Sequence, residues 1–402
     1  MLGEGRLRAV SGICALLAFW LFAYPNPGYS QGNIQAGPFR VHPFLELSGE
    51  WNDNITLAPR NEVDDFIWFI SPGISLELPA RRYALRLGYR ADILRYSKED
   101  QLDATHHTLQ GDARANFPGG LSLYVSDEFK QTTDFFGFPV PELRERVKRN
   151  ENVLKAGAEY TVGARTSLAF DYNFFWVDYR ARPIFDELDR KDHLLALTLF
   201  YLVLPKTSIL GEYNFQAIRY DLDAVARDRD SDANKFKIGL KGDLTEKTTL
   251  LVKVGAEFKD YDSPAQRDWD GLIVEVEAIY KYREPSQIRL FGARANIEST
   301  FEGNNFYVGT YGGVELSHQL RPKLILKLTG LVGTDDYPER TTIGTETKKR
   351  FDRFYEAGVA LRYQIRQWLV VEGSYDYLVK DSNFADSDYT NNRLRGTISL
   401  TF

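Results

Sequence analysis

Glu275 and Glu277 come nearest to a catalytic pair in this chain. Two positions apart on an extended backbone, they face one way at about 6–7 Å. A carboxylate pair could use that separation for general acid and base work. Lys281 and Arg283 follow in the same row, and charge balance on a wet wall is the stronger reading. Asp221, Asp223, Asp228, Asp230 and Asp232 crowd one polar segment and could offer oxygens to Ca²⁺. The spacing, glycine and terminal glutamate of an EF-hand are missing, so a solvated acidic loop is the stronger reading. His42, His106, His107, His193 and His318 are scattered, and no His–Ser–carboxylate spacing recurs. His106 and His107 alternate faces on a strand and cannot ligate one metal from it alone. The only cysteine, Cys14, lies in an apolar run near the start, so the rest of the chain has no thiolate ligand. The sequence therefore predicts no catalytic residue, no cofactor and no metal site.

What the chain carries in quantity is ionised side chains at every second position. In Arg82–Ser97, Arg86, Arg90 and Asp92 share one face while Tyr83, Leu85, Leu87, Tyr89 and Ile93 share the other. In Lys235–Leu244 the polar row is Lys235, Lys237 and Lys241, and the apolar row is Phe236, Ile238 and Leu240. In Asp270–Arg283, Glu275 and Glu277 oppose Leu272, Val274 and Val276. This period of two is that of strands with one face in an apolar medium. Arg190–Leu204 is apolar on both faces, and Ser286–Thr300 can be read in either phase.

The elements that carry these rows form a series of hairpins. Short turn-like segments recur at Pro79-Ala-Arg81, Phe117–Gly120, Gly163-Ala-Arg165, Pro205-Lys-Thr207, Thr245-Glu-Lys247, Glu284-Pro-Ser286, Arg321-Pro-Lys323 and Arg366-Gln367. Longer polar segments alternate with them: Asp53–Asp65, Lys98–Ala104, Asp134–Asn150, Ala181–Arg190, Leu222–Ser231, Asp262–Trp269, Phe301–Asn304, Pro338–Arg350 and Ser382–Tyr389. Eight turns and nine loops predict about eighteen strands. The expected fold is all-β: a transmembrane antiparallel up-and-down β-barrel, with short periplasmic turns and longer extracellular loops. Aromatics are 14% of the chain although the mean hydropathy is only -0.36, as alternating strands require. Trp51, Trp68, Tyr96 and Trp176 lie near the long loops, and Tyr83, Tyr160, Tyr201 and Trp368 near the short turns, the placement of two interfacial girdles.

Residues 1–30 read as a secretory signal, with Arg6 and Arg8 before the apolar run Ala9–Ala23 and small residues at Gly28 and Ser30. Its removal takes away Arg6, Arg8 and Glu4 and moves the formal charge from -6 to -7, with no basic excess to suggest nucleic acid. Residues 31–40 read as a periplasmic tether and 41–402 as the barrel. Leu394, Gly396, Ile398, Leu400 and Phe402 alternate to the last residue. Leu400 and Phe402 resemble the terminal assembly signal that the barrel-assembly machinery reads during biogenesis. Localisation is expected in the outer membrane of a Gram-negative cell after Sec-type export, among outer-membrane lipid and lipopolysaccharide.

A family resemblance rests on Phe44-Leu-Glu-Leu-Ser-Gly-Glu-Trp-Asn-Asp-Asn54, an acidic loop, Phe69-Ile-Ser-Pro-Gly-Ile-Ser75, Gly88-Tyr89 and Tyr96. Here the chain resembles the putative beta-barrel porin-2 family of Gram-negative outer-membrane proteins. The resemblance implies a channel. Members are often linked to exopolysaccharide or surface-sorting systems, which would make exopolysaccharide or its secretion apparatus a partner. A porin-like channel passing or exporting sugars, exopolysaccharide or other anionic solutes is the expected function. A non-channel barrel that binds a surface partner, and an outer-membrane enzyme, are the alternatives.

A lumen with so many ionised groups must hold water, and eighteen strands leave an interior too wide for side chains to fill. The expected pore-lining residues are Arg86, Arg90, Arg114, Lys235, Lys237, Lys241, Lys253, Lys259, Glu257, Glu275 and Glu277. Lys235, Lys237, Lys241, Lys253 and Lys259 converge on two adjacent strands with only Asp243 and Glu257 clearly opposing them, a patch expected to favour anions. The loop Asp134–Asn150 places Phe135, Phe136 and Phe138 before Arg144, Arg146, Lys148 and Arg149. Such apolar residues need a burial site. The two readings are an inward fold that constricts the channel and a cap lying outside it.

Overall fold

The computed structural model describes residues 34–402 apart from 81, 136, 138–140, 143–145, 181–186, 222–227, 301–302 and 344. A short strand β1 (Ile34–Ala36) turns through Gly37, whose φ of 62° suits glycine, and pairs back on the start of β2 (Phe39–Asn52). Then follow β3 (Asp65–Pro79), β4 (Tyr83–Tyr96), β5 (Ala104–Asn116), β6 (Leu121–Phe135), β7 (Arg146–Thr161), β8 (Thr166–Tyr179) and β9 (Arg190–Leu204). Next are β10 (Thr207–Tyr220), β11 (Ser231–Asp243), β12 (Thr248–Tyr261), β13 (Trp269–Arg283) and β14 (Ser286–Glu298). The last are β15 (Phe306–Arg321), β16 (Leu324–Ile343), β17 (Glu346–Arg366), β18 (Leu369–Ser382) and β19 (Tyr389–Thr401). Each strand from β2 to β19 pairs antiparallel with its sequence neighbours. The sheet closes where β19 meets β2, with Arg395 opposite Glu50 and Ile398 opposite Leu47. The result is the expected barrel of eighteen strands.

Closure satisfies every ladder and leaves no sheet edge in lipid. The faces separate cleanly. On β11, Ile238 is 74% exposed and Phe236 54%, whereas the alternate Lys235 is 8% exposed. Neighbouring strands resolve the two ambiguous segments. On β9, Leu195, Leu197, Leu199 and Tyr201 face outward while Asp192, Leu194, Ala196 and Thr198 are buried inward. On β14, Leu290 faces outward and Phe291 and Ala293 inward.

All the expected short turns fall between strands on one rim. One expected loop does not exist as such. Pro338–Arg350 is largely strand: β16 and β17 run on as a hairpin, with Thr342 opposite Thr347 and Ile343 opposite Glu346. β-branched residues favour the extended backbone, and a ladder irregularity between Asp336 and Arg340 accommodates Pro338. The pairings to β15 and β18 reach only Asp336 and Asp352, so the hairpin tip projects beyond the wall.

Candidate functional site

Cross-strand register decides what the inward charges do. On β10–β13, Glu212 lies opposite Lys237, Lys235 opposite Glu257, and Lys253 opposite Glu275. The ion pairs follow: Lys237–Glu212 at 2.8 Å, Lys235–Glu257 at 3.1 Å, Lys253–Glu212 at 2.9 Å and Lys253–Glu275 at 3.4 Å. Lys259 reaches Glu298 on β14. Lys253 meets Glu212 by passing over Gly239, where a Cβ would come within 2.1 Å of the Val252 carbonyl oxygen. Glycine there permits the close strand approach. The Lys253 side chain has no solvent exposure at all. Buried charges persist only when paired and hydrogen-bonded, and here four ammonium groups meet four carboxylates. Glu212, Glu275 and Glu298 therefore join Glu257 in opposing the basic patch. Lys241 stands apart, its ammonium 5.1 Å from the centre of the Phe200 ring.

Most of the other expected pore-lining charges are also paired. Arg86 binds Glu77 at 3.0 Å, and Arg90 binds Glu46 at 3.1 Å and Asp92 at 2.6 Å. Arg289 bridges Glu277 and Glu315 at 2.5 Å each. Arg114 donates to the Asn116 side chain at 3.4 Å. Glu275 and Glu277 thus serve cations and not each other. In the acidic loop, Asp221 binds Lys191 and Asp232 binds Arg219, each at 2.6 Å, while Asp223 lies outside the described residues. Burial pushes the Asp230 carboxyl above its ordinary range, against the lowering by the Tyr220 amide it accepts. His107, His193 and His318 face outward, hydrogen-bonded to Tyr89, Tyr172 and Tyr282 at 2.9, 2.8 and 2.7 Å. His42 and His106 face inward near Glu77 and Asp134.

The outer mouth holds two inward loops. After β6, the loop reaches the far wall. The Glu142 carboxylate accepts hydrogen bonds from the Thr300 amide and hydroxyl, both at 2.8 Å, and from the Ser299 hydroxyl. Lys380 Nζ on β18 donates to the Pro141 carbonyl at 3.0 Å and pairs with Asp352 at 3.1 Å. Arg350 completes that buried group, 2.7 Å from Asp352. Phe136, Phe138 and Arg144 lie outside the described residues. Arg146, Lys148 and Arg149 belong to β7. Arg146 sits over the Tyr96 and Phe135 rings, Arg149 is buried against Glu151 and the Asp134 carbonyl, and Lys148 is exposed on the outward face.

The first long loop, between β2 and β3, was legible only as polar. Asn54 is wholly buried, its Nδ2 donating to the carbonyls of Ala58 and Thr390 at 2.9 and 2.8 Å. This folds Ile55 against Ile67, Leu94 and Tyr96. Leu57 points the other way, into a cluster with Ala293, Tyr311, Phe354, Leu378 and Tyr389. Phe135, the last residue of β6, packs on the same cluster where the other loop begins. Ile55, Leu57 and Val63 were the available signal: three apolar residues in a segment otherwise suited to water.

The family model described as putative beta-barrel porin 2 matches residues 26–402. No curated protein matches the chain. Among solved structures, the chain is similar to OpdK of Pseudomonas aeruginosa at 12% identity, covering 90% of this chain and 99% of that one, with a TM-score of 0.46. Acinetobacter baumannii OccAB4 gives 13% identity, 92% and 99% coverage and a TM-score of 0.49. Pseudomonas aeruginosa OpdL gives 13%, 90%, 99% and 0.48.

Proposed function

The chain belongs to the putative beta-barrel porin 2 family, and from that premise we propose that it is a narrow channel for small polar solutes, its width set by the first and third long loops. It is a porin-like barrel of the Gram-negative outer membrane. The observation that carries the reading is the joint packing of Leu57 and Phe135 on Tyr311 and Phe354 across the mouth. Two loops seated there favour sugars and small anions over an exopolysaccharide strand, which would need both loops displaced. The paired lysines of β11 and β12 cancel much of their own field. Lys241 and Arg114, with no carboxylate within 4.0 Å among the described residues, are among the cations left to supply an anion preference. Leu400 and Phe402 serve as the assembly signal in this reading. Phe402 donates its amide to the Pro43 carbonyl at 2.9 Å and keeps its ring outward.

Planar-bilayer recording tests the channel. Replacing residues 136–145, the segment between β6 and β7, by a short Gly-Ser linker raises single-channel conductance and weakens anion preference in a salt gradient. Unchanged conductance and reversal potential in a folded variant reject the narrowing by this loop. Wild-type protein that gives no conductance steps rejects the open channel. The projecting β16–β17 hairpin favours a second reading, contact with a surface partner. In that case hairpin deletion abolishes attachment and leaves conductance unchanged.

A further inference from the structure

The outer wall of β15–β18 is not smooth. A groove of about 620 Å³ opens on it, lined by Gly312, Val314, Gly330, Val332, Tyr355 and Tyr377. Register aligns these residues: Gly312 lies opposite Val332, Val332 opposite Tyr355, and Val314 opposite Gly330. Val332 and Tyr355 are about half exposed on the outward face, so the groove faces lipid. The backbone does not demand glycine here. A Cβ on Gly312 or Gly330 would meet its nearest neighbour at 3.5 Å, an ordinary contact. The space is a property of the surface.

Three cations stand above this groove. On β17 the outward apolar series Tyr355, Val359, Leu361 and Tyr363 ends, toward the long-loop side, at Arg353. Arg353 is two residues, about 6–7 Å, beyond Tyr355. Lys349 follows on the same face about 13 Å further out, opposite Arg340 on β16. None of Arg340, Lys349 and Arg353 has a carboxylate within 4.0 Å among the described residues. Arg340 donates to the Thr347 carbonyl at 2.8 Å and Arg353 lies 5.4 Å from the Phe351 ring centre. Asp336 and Asp381 flank the cations on β16 and β18 without pairing with them.

We propose that this wall binds one lipid A-type glycolipid of the outer leaflet, an acyl chain lying in the groove and its phosphates on Arg353, Lys349 and Arg340. An apolar slot with unpaired cations at the rim of the lipid-facing band matches an anionic headgroup on hydrocarbon chains. A zwitterionic phospholipid fills the slot equally well but lacks the net charge for the rim. The site lies outside the lumen and is independent of what the channel passes.

The test is native mass spectrometry of the detergent-purified barrel titrated with bisphosphorylated lipid A, and separately with phosphatidylethanolamine. Wild type retains one lipid A in preference to phosphatidylethanolamine. Arg340→Gln, Lys349→Gln and Arg353→Gln together weaken retention at least about tenfold, in line with the contribution of each surface cation to anionic-lipid binding. Gly330→Val, whose Cβ the spacing admits, narrows the groove and weakens retention severalfold. Heat-modifiable migration checks that both variants are folded. Equal retention by wild type and both folded variants overturns the site, as does equal affinity for the two lipids. A dimer of the chain that Gly330→Val dissolves overturns the lipid as occupant.

Discussion

Glu142→Ala isolates the seating of the third loop from the stability of the barrel. Three hydrogen bonds end on this buried carboxylate, from the Ser299 hydroxyl and the Thr300 amide and hydroxyl. A hydrogen bond to a charged group contributes roughly 1.5–3 kcal/mol, and bonds sharing one carboxylate are not additive. A loss of about 3 kcal/mol is expected for the group, and at about 1.4 kcal/mol per factor of ten it shifts the seated-to-released ratio by roughly 100-fold. Phe135 in its cluster and the Lys380 bond to Pro141 remain, so the loop becomes intermittently released and does not fall away. In single-channel recordings the variant shows a noisier trace with excursions to a higher conductance. Trypsin cleaves the loop faster, and the barrel's urea midpoint is unchanged. Glu142→Gln, which keeps one acceptor oxygen, lies between. Traces and cleavage rates equal to wild type in the folded variant refute the seating role.

Lys253→Met removes the shared partner of Glu212 and Glu275 inside the wall. An uncompensated buried charge costs about 3–5 kcal/mol, read as a lower urea midpoint in detergent; adding Glu275→Gln restores part of it, because Glu212 keeps Lys237 as its partner. Gly255→Ala places a Cβ 1.9 Å from the Phe236 carbonyl oxygen. The forced backbone shift costs roughly 1–3 kcal/mol, and the fraction of heat-modifiable barrel falls. If Gly255→Ala assembles as wild type does, the close approach of β11 and β12 is not a constraint. Leu57→Ala empties part of the mouth cluster at about 2–5 kcal/mol. That loss falls on the first loop, so conductance rises while the urea midpoint holds; a constant conductance counts against its narrowing role.

The strand count was legible because turn chemistry and the period of two agree along most of the chain. Where they conflict, neighbours decide. Arg190–Leu204 carries no alternation of its own, and only its pairing with Asn173 and Asn214 turns Leu194 and Ala196 inward. Pro338 and the charges after it imitate a loop, yet Thr341 to Ile343 find partners across the hairpin. The inward lysines were readable as a row, but a row shows one strand at a time. Glu212 is two strands from Lys253, and Glu298 two from Lys259, so the pairing depends on stagger. The first loop's seat was hidden for a similar reason: Leu57 packs on residues more than 230 positions away.

That distance also sets an order of events. Leu57 and Phe135 enter early in the chain, whereas Ala293, Tyr311, Phe354, Leu378 and Tyr389 enter late. The seat is complete only once β14–β19 are in place, and contacts so remote in sequence form slowly. The closing pair β19–β2, with Arg395 opposite Glu50, draws on the same late strands, so wall and mouth are completed from the same end of the chain.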